Sequence, residues 1–128
     1  GDRVMATLTD ARVLIAEAVA RAGVEALAYA PESPAAPVAF VDSMSLDFTG
    51  AGNPGAFCLP GWATDTIVVL AQRHDQSGAI QYLEALIAPI VTELGAIPGL
   101  RVTAAYTSTR TVSGADLPAL YITVEHPI

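Results

Sequence analysis

His74 and Asp75 stand side by side and form the nearest thing to an acid–base pair in the sequence. Residues adjacent in the chain rarely share a hydrogen bond at a helix start, and Asp75 is better placed to cap the helix that follows. His126 is the second histidine. No HxH, HxxxH or CxxC spacing links it to His74 or to Cys58, so no metal site is expected. Ser43, Ser45, Ser77, Ser108 and Ser113 lack the GxSxG context that exposes a nucleophile on a strand-to-helix turn. Gly50, Gly52 and Gly55 are not followed at once by a helix, as a phosphate cradle requires, and they read as flexibility. Cys58 is the only cysteine, so an intrachain disulfide is impossible; it reads as a small buried hydrophobe in a protein that folds in the cytosol. The expectation is no enzyme, no metal and no cofactor.

Binding is the better prospect. Trp62, at the mouth of a glycine-rich stretch, is either an interface anchor or core packing at a strand start. Phe57 and Leu59 stand just before it, and Phe57, Leu59 and Trp62 together are the candidate partner-binding residues. Glu25, Glu32, Asp42, Asp47 and Asp65 read mostly as a solvated acidic face. Arginine is the only strong base: six cationic residues face thirteen acidic ones, for a net charge of −7. That sign is wrong for gripping phosphates and argues against a sequence-reading nucleic-acid binder.

The elements that would position these residues follow from pattern. Thr7 and Asp10 make a weak capping box, and Leu8, Ala11, Ile15, Ala18 and Ala22 recur at helical spacing up to Gly23. A helix over 8–22 is expected, with Glu17 and Arg21 as an i,i+4 pair. Val24–Tyr29 could be extended, and Pro31, Pro34 and Pro37 enforce a surface loop. From Val38 to Phe48 the apolar residues alternate, with one phase slip near Val41–Ser43 that a bulge could absorb. Residues 49–61 form a long loop, expected to be mobile in the free protein and ordered on docking. Trp62–Gln72 reads as a central strand, since Thr66–Leu70 is β-branched and apolar.

A second helix, capped by Asp75 or Ser77, carries Ile80, Leu83, Leu86, Ile87, Ile90, Val91 and Leu94 and stops at Gly95. That face is wider than one core contact needs. Pro89 inside it costs about 3 kcal/mol, so a kink or break is expected. Leu100–Thr107 and Leu117–Glu125 read as a hairpin turning at Ser113–Gly114. The expected class is α+β: a single mixed or antiparallel sheet with two helices packed on one face. With 128 residues there is room for one core. Gly1–Val4 read as an expression remnant before a natural start at Met5, leaving residues 5–128 as one domain. The longest apolar run, Ala85–Val91, is far short of a membrane span, and no secretion signal is visible, so a soluble protein is expected.

Four passages together resemble the tail terminator and minor tail proteins of actinobacterial siphophages. They are the helix LTDARVLIAEAV closing at Gly23, the PESPAAPVAFVDS entry to a strand, the TDTIVVLAQRHDQSGAIQYLEALI strand, cap and helix, and the final RVTAAYTSTRTVSGADLPALYITVEHPI hairpin. The match is one of order, size and texture from Met5 onward, with no invariant motif. The resemblance implies a virion subunit at the head–tail interface, assembled in the host cytoplasm. It would close into a homo-oligomeric, hexameric ring on the tail tube protein, stop tube polymerisation and face the head-completion connector. Genomic DNA would only pass through the channel, and no membrane is involved. The family has no catalytic residues to transfer. Other readings stay open: a head-completion or stopper protein, a small dimeric α+β enzyme or ligand-binding domain with a pocket between sheet and helices, or a binding module of a cellular host.

Overall fold

A computed structural model describes residues 7–48, 61–72 and 76–127. Helix α1 spans Leu8–Arg21 and begins at Thr7, whose Oγ1 accepts a hydrogen bond from the Asp10 amide at 3.0 Å. It ends before Gly23, which takes φ +109°, a left-handed value that glycine adopts without a Cβ clash. Ala11, Ile15, Ala18 and Val19 form its buried stripe. Thr7→Ala removes the cap and should cost about 1 kcal/mol. A fall in melting temperature of about 4 °C or more would register it; no change would mean that the helix start is held by other contacts.

Strand β1, Ala26–Leu27, pairs in parallel with β2, Val38–Asp47, through Ala26↔Ala39 and Leu27↔Phe40. This short pairing makes the sheet mixed. Between them the chain turns through the prolines, with a cis bond at Ala36–Pro37. β2 runs antiparallel to β3, Trp62–Leu70, and the register slips between Val41 and Met44, where the alternation of the sequence slips. Helix α2 covers Gln76–Gly95, and β4 (Arg101–Val112) and β5 (Ala115–Pro127) close the fold as a hairpin. Ser113 and Gly114 have φ of 51° and 81°, so both central turn residues are left-handed, which fits the type I′ turn that matches strand twist. The strand order is β1-β2-β3-β5-β4.

Both helices pack on one face of the sheet, as expected for this α+β class. Ile15 and Val19 of α1, with Leu83, Ile90 and Leu94 of α2, bury Val41, Ile67, Val69, Leu120, Ile122 and Val124. The opposite face has a smaller core of Val38, Phe40, Val68, Leu70 and Ala119, against which Leu27, Ala36, Leu117 and Tyr121 pack. The hairpin is tied over this second core: Arg110 donates from both terminal nitrogens to Asp42, at 3.0 and 3.2 Å, and its guanidinium lies 5.2 Å from the Phe40 ring centroid.

Two expectations need correction. Of the kink or break expected at Pro89, the break does not occur: α2 is continuous to Gly95. Pro89 lies on the exposed side, and Ala85, whose carbonyl loses its amide donor, is exposed too, so water can supply the missing bond. The wide apolar face of α2 is largely spent within the subunit: Leu83, Leu86, Ile90 and Leu94 are buried, and Ile87 packs against the same core. It leaves less apolar surface for a neighbour than its width suggests. Arg21, four residues beyond Glu17 on α1, also bridges the helices, donating from Nε to Glu93 at 2.9 Å. The expected cap Asp75 lies outside the described residues.

Candidate functional site

The sheet presents an exposed surface along its β4 side. β4 is an edge strand, and every residue from Thr103 to Thr109 is exposed. Directly opposed residues share a face, so Arg101, Ala104, Tyr106 and Ser108 lie with Glu125, Thr123, Tyr121 and Ala119 on the face away from the helices. There Tyr106 stacks on Tyr121, with centroids 5.3 Å apart and planes inclined by 11°, and Tyr121 donates its hydroxyl to the Thr109 carbonyl at 3.2 Å. Arg101 bonds Glu125 at 2.6 Å and sits 5.9 Å from the Trp62 ring. The result is an aromatic face with one ion pair at its rim.

Trp62 is 47% exposed. Of its two sequence readings, core packing at a strand start is therefore ruled out, and the indole belongs to the outer surface beside Arg101. Phe57 and Leu59, the other two candidate partner-binding residues, lie outside the described residues, as do Cys58, His74, the glycines at 50, 52 and 55, and the loop expected to order on docking.

The acidic residues divide. Glu25, Glu32 and Asp47 are exposed, as a solvated face requires. Asp42 is engaged by Arg110, and that hydrogen bonding raises the Arg110 pKa above its ordinary value against the opposing effect of burial. Asp65 is the clear exception to the solvated face: it is 0% exposed and meets His126, 1% exposed, with Nε2 2.9 Å from Oδ2. The His126 Nδ1 lies 3.1 Å from the Pro127 carbonyl. Each ring nitrogen thus faces an oxygen, one from a side chain and one from the backbone. Asp65 Oδ1 has no hydrogen-bond partner among the described residues. Nothing in the local pattern signalled this pair, since the two residues lie on β3 and β5 and only strand pairing brings Ala63 opposite His126 and Asp65 opposite Val124.

A pocket of about 300 Å³ opens beside the start of α2, lined by Pro37, Ala71, Gln72, Gly78, Ala79 and Tyr82. Its lining is mainly apolar; Gln72 donates to the Ala36 carbonyl at 3.1 Å, and partial burial pushes the Tyr82 hydroxyl pKa up. The Asp65–His126 pair is not part of this lining. Among the described residues, no group of three His, Cys, Asp or Glu side chains is placed to hold a metal ion, and no helix is long and apolar enough to cross a membrane. The chain matches no protein-family model, and comparison with curated proteins finds no significant relative.

Proposed function

We propose that this chain is a structural subunit of a long-tailed phage, a tail terminator that caps the tube as a ring, ends its polymerisation and offers a joining surface to the head. The observation that carries this reading is the sheet with strand edges on opposite sides: β4 on one, and on the other the Met44–Leu46 stretch of β2, which pairs with β3 on its inner side and with no second strand among the described residues. A subunit with two different free edges joins its neighbours head to tail, and such contacts close into rings when the rotation permits. The half-exposed Trp62 and the Tyr106–Tyr121 stack supply an aromatic surface of the kind that anchors protein interfaces. The net charge of −7 suits a channel wall past which a duplex slides instead of sticking.

The test is co-expression with the tail tube protein of the same genome, read by negative-stain electron microscopy. Tubes made without the chain should grow to widely scattered lengths, whereas with it they should be shorter and carry extra density at one end. Unchanged tube lengths with no chain at the tips would sink the terminator role.

A further inference from the structure

We propose that residues 25–37 form a strap that opens and closes over the β2 edge as one unit while the rest of the sheet stays folded, hinged at Gly23 and locked by Arg12. Such a strap works in the same way whether or not the chain caps a tube. Little apolar burial holds it. Val24 and Val38 are buried, but no residue between them is; Ala26, Leu27 and Ala36 are only partly covered where they touch the two cores. Segments of this kind open locally at a smaller cost than the whole fold. A cleft of about 180 Å³ separates Pro31, Glu32 and Pro34 from Arg110, Val112 and Ser113, so the middle of the strap leaves a gap to the hairpin tip.

The polar contacts of the strap converge on one side chain. β1 pairs with β2 only at Ala26↔Ala39 and Leu27↔Phe40, and the Ala39 amide donates to the Glu25 carbonyl at 2.7 Å. One step further on, Arg12 takes over. Its Nη1 donates to the Ala28 carbonyl on the strap at 3.0 Å and to the Val41 carbonyl on β2 at 2.9 Å, and Nη2 donates to the Asp42 carbonyl at 3.3 Å. Two carbonyls cannot bond each other, so the guanidinium supplies the donor that joins the two segments where their own ladder stops. The Tyr29 ring centroid lies 4.6 Å from the same guanidinium, and the Tyr29 hydroxyl is 3.4 Å from the Thr9 Oγ1. Arg12 and Thr9 belong to α1 and stay in place when the strap lifts. At the far end Gln72 donates to the Ala36 carbonyl at 3.1 Å. Gly23 combines its φ of +109° with open space where a side chain would stand, which suits a pivot at the end of α1. Opening breaks the Arg12 bond to Ala28, bares the Ala39 amide and lifts Leu27 and Ala36 from the smaller core. Protection of this stretch of edge therefore rests chiefly on one guanidinium.

Amide exchange of the full chain, resolved by NMR, tests this, with urea denaturation reporting global stability. The reporters are the Ala39 amide, which is bonded to the strap, and the amides of Ile67–Val69 in the central strand. In the wild type Ala39 should exchange faster than the central amides and respond little to low urea, because a small opening exposes little surface. Arg12→Ala should speed Ala39 exchange about tenfold or more by removing the charged donor. If that variant does not fold, Arg12→Lys, which lacks the planar fork, should speed it about threefold. Ile90→Val loosens the core between α2 and the sheet, which the opening leaves intact; it should lower the urea midpoint and leave Ala39 exchange unchanged. Ala39 exchanging at the rate of the central amides, with their urea dependence, overturns the strap, and so does equal acceleration of Ala39 and the central amides by Ile90→Val. Ala39 exchange indifferent to both Arg12 variants overturns Arg12 as the lock.

Discussion

His126→Ala is expected to destabilise the protein by about 3 to 5 kcal/mol, the cost of leaving one member of a buried, hydrogen-bonded pair without the other. Asp65 is fully buried and its only described side-chain partner is the His126 ring at 2.9 Å, while its Oδ1 has no hydrogen-bond partner among the described residues. With the imidazole gone, both carboxylate oxygens would sit in the interior without a donor among the described residues. Since a domain of this size is stable by roughly 5 to 15 kcal/mol, the loss would consume a large share of the total. Urea denaturation should show a lower midpoint at an unchanged slope. Asp65→Leu combined with His126→Leu should recover most of the stability, because replacing both polar partners with apolar side chains removes the desolvation cost together with the bond. A single-variant loss below about 1 kcal/mol would mean that water reaches the pair after the substitution.

The second large effect is expected from Phe40→Ala. Phe40 is 2% exposed at the centre of the smaller core, and deleting a buried phenylalanine costs about 3 to 5 kcal/mol. Its particular consequence is local. The ring lies under Arg110, whose bonds to Asp42 hold the β4–β5 hairpin across β2. Without it the guanidinium loses both a packing surface and a cation–π contact worth about 0.5 to 2 kcal/mol. Hydrogen exchange should therefore quicken at residues 109–118 beyond what the global loss explains. Val41→Ala, on the helix side of the same strand, is the comparison: it should lower stability without selectively loosening the hairpin. Equal acceleration in both variants would show that the hairpin tip is not held through Phe40.

Local signals carried much of the architecture. Thr7, Asp10 and Gly23 bracket α1 because capping and a left-handed stop are properties of a few adjacent residues. The bulge of β2 is visible as a slip in alternation because the side-chain period of a strand is two. The hairpin strands were harder to delimit. The expected Leu100–Thr107 and Leu117–Glu125 fall short of the observed Arg101–Val112 and Ala115–Pro127, since β4 is exposed on both faces and so leaves no alternation to read. The parallel pairing of β1 and the meeting of Asp65 with His126, 61 residues apart, depend on tertiary register and have no short-range trace. Trp62 illustrates the middle ground: its position at a strand start was legible, but only the register beside Asp47 and Pro127 shows it outside the core.

The strand order also governs the timing of folding. β5 comes latest in sequence yet sits between β3 and β4, with Ile67 facing Ile122 and Val69 facing Leu120 at the middle of the sheet. A chain emerging from the ribosome can wind α1 and α2 and join β2 to β3 from nearby residues alone. The other edge of β3, with Val68, Val69 and Leu70, must then wait for a segment some fifty residues further on. Long-range closure of this kind is slow, and the partly made sheet shows an apolar strand edge to every neighbouring nascent chain. Crowded synthesis of many copies is therefore the moment at which this protein is most exposed to mispairing, and slowing translation after β4 would be expected to raise aggregation more than slowing it before β2.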